Sequence, residues 1–187
     1  MHVDRFKALI LTKVCISLQG RSLFTPLSLT VHPGEVVTVM GPSGCGKSTL
    51  LGYICGTLAP AFQAEGSVRL GERELVELPL ERRRVGILFQ DALLFPHLSV
   101  AENLAFGLPP GQSRHKRRFW VETALLDAGL EGLGERNPAT LSGGQRARAA
   151  LMRTLLAEPV ALLLDEPFSK LDADLRTRMR TFVFEHA

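Results

Sequence analysis

Gly41-Pro42-Ser43-Gly44-Cys45-Gly46-Lys47-Ser48-Thr49 decides how the rest of this 187-residue chain is read. The stretch fits the pattern G-x-x-x-x-G-K-[ST]. Its glycines let the backbone wrap tightly, so that successive N–H groups point inward at phosphate oxygens. Before it runs the β-rich apolar segment Val36-Val37-Thr38-Val39-Met40, which predicts a strand, and after it residues 48–58 predict a helix. The positive end of that helix is itself an anion site. Here Lys47 is placed for the β- and γ-phosphates and the Ser48 hydroxyl for Mg²⁺. The expected ligands are ATP and magnesium.

Working outward, Ser67-Val68-Arg69-Leu70 and Val85-Gly86-Ile87-Leu88-Phe89 predict further strands. Val160-Ala161-Leu162-Leu163-Leu164 is apolar throughout, the pattern of a strand covered on both faces of a parallel sheet. Asp165 and Glu166 terminate that run, and side chains at the carboxyl end of a parallel strand face the ligand crevice. Asp165 is expected to help hold Mg²⁺ and Glu166 to polarise the attacking water as general base.

Between residues 91 and 158 the character turns helical. Ser99-Val100-Ala101-Glu102 is a capping-box pattern that starts one helix. Residues 114–128 predict a second, ended by Gly129, and residues 144–157 a third, stopped by Pro159. The plan is one domain over 1–187: a catalytic core from 1–90 and 159–187, interrupted by a helical subdomain at 91–158.

The bulk figures agree with a globular α/β protein: 45% hydrophobic and 22% charged residues. No stretch approaches the roughly 18 apolar residues of a membrane helix, and the N-terminus lacks a signal-peptide pattern, so the cytoplasm is the expected location. Cys15, Cys45 and Cys55 have neither framework nor metal spacing and read as reduced thiols. The basic run Arg114-His115-Lys116-Arg117-Arg118 beside Phe119 and Trp120 is read as a solvated helix face, with no nucleic-acid partner expected.

Phosphate loops serve many enzymes, and Leu141-Ser142-Gly143-Gly144-Gln145 chooses among them. It resembles the signature motif of ABC ATPases. Gln90 after Gly86-Ile87-Leu88-Phe89 resembles that family's Q-loop glutamine, and Pro167-Phe168-Ser169-Lys170-Leu171-Asp172 resembles the segment ending in its D-loop aspartate. The resemblance spans about residue 8 to the end and is closest to the importer branch. It implies a P-loop NTPase core with a mainly parallel sheet, an antiparallel β subdomain and a helical insert. It also implies that Gln90 contacts Mg²⁺ or water, and that Ser142, Gly143, Gly144, Gln145 and Asp172 serve a nucleotide held by a partner. The implied assembly is a head-to-tail homodimer on the inner face of the cell membrane. A permease would dock near residues 93–98, with Leu93, Leu94, Phe95 and Leu98 as its apolar lining, and a periplasmic binding protein would take part indirectly.

Two departures stand out. The family's usual adenine-stacking aromatic aligns with Leu18, with Phe24 as a substitute. The chain ends at Ala187, before the strand and switch histidine that the family carries, and His186 occurs too early to serve. A C-terminally truncated chain is expected. The alternative is a nucleotide-binding, non-hydrolysing or decayed subunit.

Overall fold

The computed structural model describes residues 7–167 together with 176, 177, 180, 181, 183 and 184. The chain divides into two compact units, one as far as Val85 and one from Gly86 onward.

The first unit is built on the long strand β1 (Leu9–Leu18). On one edge it pairs antiparallel with β2 (Arg21–Ser22) and β3 (Leu27–Val31), and on the other with β4 (Phe62–Leu70). A short β5 (Arg73–Glu74) adds to β4. Strand β1 buries Leu9, Leu11, Val14 and Ile16, and its register sets Leu9 opposite Leu70 and Leu11 opposite Val68 of β4. Both ladders of β1 shift register around Lys13, whose φ is +48°. This bulge explains Gly66 at φ +98°: a Cβ there would lie 2.6 Å from the Lys13 carbonyl oxygen and 2.7 Å from that of Thr12.

Helix α1 (Lys47–Cys55) follows the glycine loop and ends at Gly56, in the left-handed conformation typical of a helix terminus. The Tyr53 hydroxyl donates to the Gly66 carbonyl, 3.1 Å away, tying the helix to β4. The short α2 (Leu80–Arg83) supplies Arg83, whose buried guanidinium donates to the carbonyls of Tyr53 and Ile54 at 2.9 and 3.0 Å. Those are among the carbonyls that the end of α1 leaves without intrahelical partners. Burial pushes the Cys55 thiol up from its ordinary value, partly offset by Arg83, and the three cysteines are free thiols.

The second unit holds β6 (Val85–Leu88) and β7 (Ala161–Leu164), paired in a two-stranded sheet. Helices α3 (Val100–Gly107), α4 (Arg114–Asp127) and α5 (Gly143–Leu156) make its helical part. The Ser99 capping box is present in both halves, and Gly129 at φ +60° follows the end of α4. Helix α5 serves two clusters. Its Ala149 and Met152 join Val100, Leu104, Val121 and Leu125, whereas its Ala150 and Leu151 join Leu88. Gly107 lets α3 approach α5 closely, since a Cβ there would overlap the Arg153 carbonyl.

Two expectations need correction. Residues 36–40 belong to no strand among the described residues, and Met40 is 87% exposed. An apolar run becomes a strand only when a ladder partner satisfies its backbone, and its own unit assigns it none. Likewise β7 is only partly covered: Leu163 is buried, while Ala161, Leu162 and Leu164 stay half-buried, with Leu162 and Leu164 packed against the cluster that holds Leu88. Its one described ladder partner is β6.

Candidate functional site

The phosphate loop has the backbone its glycines predict. Gly44 sits at φ +79° and Gly46 at φ +94°, and Gly46 opens α1 with no side-chain cap. The first N–H groups of α1 therefore keep their capacity for an outside acceptor. No acidic residue stands in the first turn to repel an anion. Lys47 donates to the carbonyls of Gly41 and Pro42, both at 2.9 Å, so its ammonium is folded back over the loop. A Cβ on Gly41 would lie 2.8 Å from the Cys45 sulfur, and one on Gly46 3.2 Å from Phe24. The positive φ makes glycine the fitting residue at 46, whereas at 41 a larger residue would push the Cys45 thiol aside. The residues fit a triphosphate: the uncapped start of α1, one ammonium and the Ser48 hydroxyl.

Strand pairing makes the second cluster. The Asp165 N–H donates to the Leu88 carbonyl at 2.9 Å, which aligns the ends of β6 and β7. Gln90 and Glu166 each lie two residues beyond those ends, and the Gln90 amide donates to the Glu166 carboxylate at 3.5 Å. Glu166 holds a φ of +46°, a left-handed conformation that costs a non-glycine residue about 1–3 kcal/mol and recurs at functional sites. Asp165 is its chain neighbour. The side-chain oxygens of Gln90 and Asp165 are hard donors of the kind Mg²⁺ accepts.

The signature residues form the N-terminus of α5 in a way the sequence reading missed. Ser142 accepts from the Gln145 N–H at 3.2 Å, and the Gln145 side chain accepts from the Ser142 N–H at 2.8 Å. This is a reciprocal capping box, legible from Ser and Gln three residues apart. Gln145 is thus turned back onto the cap, leaving Ser142 exposed and Gly143 half-buried at the helix end, with space for a larger group beside Gly143. Phe168 to Asp172 and His186 lie outside the described residues.

A groove of about 470 Å³ runs through the second unit between Phe89, Gln90 and Leu93 on one side and Ala139, Gly143 and Arg146 on the other. Leu93, Leu94 and Pro96 line it, but Phe95 and Leu98 do not. Phe95 instead sits edge-on to Phe106, 4.7 Å between centroids, with the Arg153 guanidinium 4.9 Å over its ring. Leu18, half-buried at the end of β1, pairs with Arg21 and Phe62, while Phe24 lies alongside Gly46 of the phosphate loop.

Residues 24–169 match the family described as ABC transporter, most of the chain. The chain belongs to the ABC transporter family. It is therefore an ABC-type ATPase in class, with the α/β fold of P-loop NTPases. It is 51% identical over 94% of its length to the ABC transporter ATP-binding protein YnjD of Escherichia coli (strain K12), covering 81% of that protein. It is 42% identical over 95% of its length to the Fe(3+) ions import ATP-binding protein FbpC 1 of Rhizobium meliloti (strain 1021). With the FbpC of Brucella abortus (strain 2308) the identity is 47% over 85% of the chain. The chain spans about half the length of these two import proteins, 50% and 44%. These relatives bear out the resemblance to the importer branch. Among solved structures, the dimeric post-hydrolysis state of the ATP-binding cassette MJ0796 bound to ADP and Pi is similar, with a TM-score of 0.80 at 30% identity. That match covers 94% of this chain and 81% of the other. Among the described residues no helix is long and apolar enough to cross a membrane.

Proposed function

We propose that this chain is the ATP-binding and ATP-hydrolysing subunit that energises solute transport through a separate permease at the inner face of a bacterial membrane. The observation that supports this reading is the groove, whose lining brings Gln90 together with Gly143, Arg146 and Ala147 in the first turns of α5. A partner seated there touches one residue of the hydrolytic cluster and the start of the signature helix together. The FbpC relatives named for iron import support the transport assignment.

In this reading the loop amides, Lys47 and the N-terminus of α1 hold the triphosphate. Ser48, Gln90 and Asp165 supply oxygens for Mg²⁺, which when bound neutralises phosphate charge. Glu166 accepts the proton of the attacking water, and Gln90 orients the Glu166 carboxylate or that water. Ser142 and Gly143 at the start of α5 offer an anion site for a nucleotide bound by a second copy. A head-to-tail pair with nucleotide in its interface follows, and hydrolysis lets that interface open. Asp172 and a binding protein belong to the same proposal. Magnesium-dependent phosphate release by the purified chain tests it. Glu166→Gln should lower turnover by about 10²–10⁴-fold while ATP binding persists. Turnover at the wild-type rate by this variant sinks the general-base role.

A further inference from the structure

The groove segment 93–98 is held by two side chains that neither binding nor hydrolysis uses. Asn103 of α3 is fully buried, and its amide is completely engaged. Its Oδ1 accepts from the Phe95 N–H at 2.8 Å, and its Nδ2 donates to the carbonyls of Phe95, Leu98 and Ser99 at 3.1, 3.3 and 2.9 Å. Arg153 of α5 reaches the same segment from the other side. It donates to the Leu93 carbonyl at 2.9 Å and to Asn103 Oδ1 at 3.3 Å, with its guanidinium over the Phe95 ring. Burial pulls the Arg153 guanidinium below its ordinary value. A desolvated cation is expensive unless its donors are used, so this contact resists slack. Gly107 adds to that rigidity by letting α3 meet α5 at the backbone of Arg153 itself.

We infer that Arg153 is a positioning residue that ties the partner-facing segment 93–98 to the signature helix, so that displacement of either end moves the other. Helix α5 starts at Gly143, next to Ser142, and continues without interruption past Arg153 to Leu156. From Ser142 to Arg153 the helix spans about 16 Å at 1.5 Å per residue. A continuous helix over that distance transmits translation and rotation, and Arg153 is the hydrogen-bonding contact through which segment 93–98 receives them, beside the apolar packing of Leu94 on the α5 clusters. This rests on the proposed nucleotide role of the signature residues and on docking in the groove.

Backbone hydrogen exchange on the whole chain, with and without MgATP, tests it without a permease. In the wild type, MgATP should slow exchange at 41–49, at the first turns of α5 and at 93–98. In Arg153→Met the response at 41–49 and α5 should persist while the response at 93–98 falls well below that of the wild type. Arg153→Lys, the milder change, should lower it too, because a point charge lacks the planar fork that spans Leu93 and Asn103. Wild-type-sized responses at 93–98 in both variants overturn the inference, as does a wild type that responds at 41–49 and α5 but not at 93–98. Silence at 41–49 as well would remove the nucleotide reading and this inference together. A docking failure shows elsewhere, in recovery of membrane partners.

Discussion

Lys47 shows how one side chain can close a site as well as open it. Its ammonium spends two hydrogen bonds on the carbonyls of Gly41 and Pro42. Those carbonyls belong to the loop that must wrap a triphosphate, so binding exchanges weak acceptors for charged ones. A hydrogen bond between charged groups contributes about 1.5–3 kcal/mol. Lys47→Ala should accordingly weaken ATP by about ten- to a hundredfold. Equilibrium titration with a fluorescent ATP analogue measures it, and unchanged affinity would remove Lys47 from the site. The loop residues were legible because their pattern is dictated by backbone geometry. Arg83, Asn103 and Arg153 were not legible, because a buried polar side chain declares itself only through its partners. Asn103 did leave one trace: it falls among Val100, Leu104 and Gly107 on the core-facing side of a helix.

At the scale of elements, Glu74 ties three pieces of the first unit. Burial alone would raise its carboxyl. Hydrogen bonds from the Ser67 hydroxyl and the N–H groups of Val68, Val76 and Leu75 outweigh burial and hold it below its ordinary value. A lowered carboxyl favours the folded state above the ordinary carboxylate range, and that benefit is lost as pH falls through the lowered value. Thermal melts from about pH 5 to about pH 3 should therefore fall more steeply for the wild type than for Glu74→Gln. Parallel curves would refute the anchoring role. Helices α3, α4 and α5 were readable because caps and helical periodicity are local signals. The antiparallel sheet around β1 was expected through resemblance, and only the end of β4 was read from the residues themselves, since the pairing joins residues as distant as Leu9 and Leu70. The bulge at Lys13 also breaks the alternation that would have announced β1.

For the whole molecule, the groove is the feature that calls for a partner. Leu93 is 61% exposed beside it, whereas Leu94 is half-buried and packs on both helical clusters. Leu93→Asp is therefore the cleaner test of docking, because it should leave folding intact. Membrane proteins recovered with the tagged wild-type chain from its own cells should be lost with this variant at unchanged thermal stability. Equal recovery would refute docking at the groove. Sequence alone placed the partner near residues 93–98 through resemblance. It could not tell that Phe95 packs on Phe106 instead of lining the groove, under the guanidinium of Arg153, 58 positions further along the chain.

The exposed run from Val36 to Met40 has a consequence for anyone who concentrates this protein. Val36, Val37, Val39 and Met40 are 60%, 37%, 43% and 87% exposed, with no charge among residues 36–40. A bare, β-prone, uncharged segment is a template on which another chain can add a strand. Self-association through it would seize the residues just before the phosphate loop, so the aggregate should be inactive as well as insoluble. Thr38→Lys places a gatekeeper charge in the segment. Light scattering of concentrated wild-type protein should rise over hours and that of Thr38→Lys should stay flat. Equal rise in both would clear this segment as the nucleus.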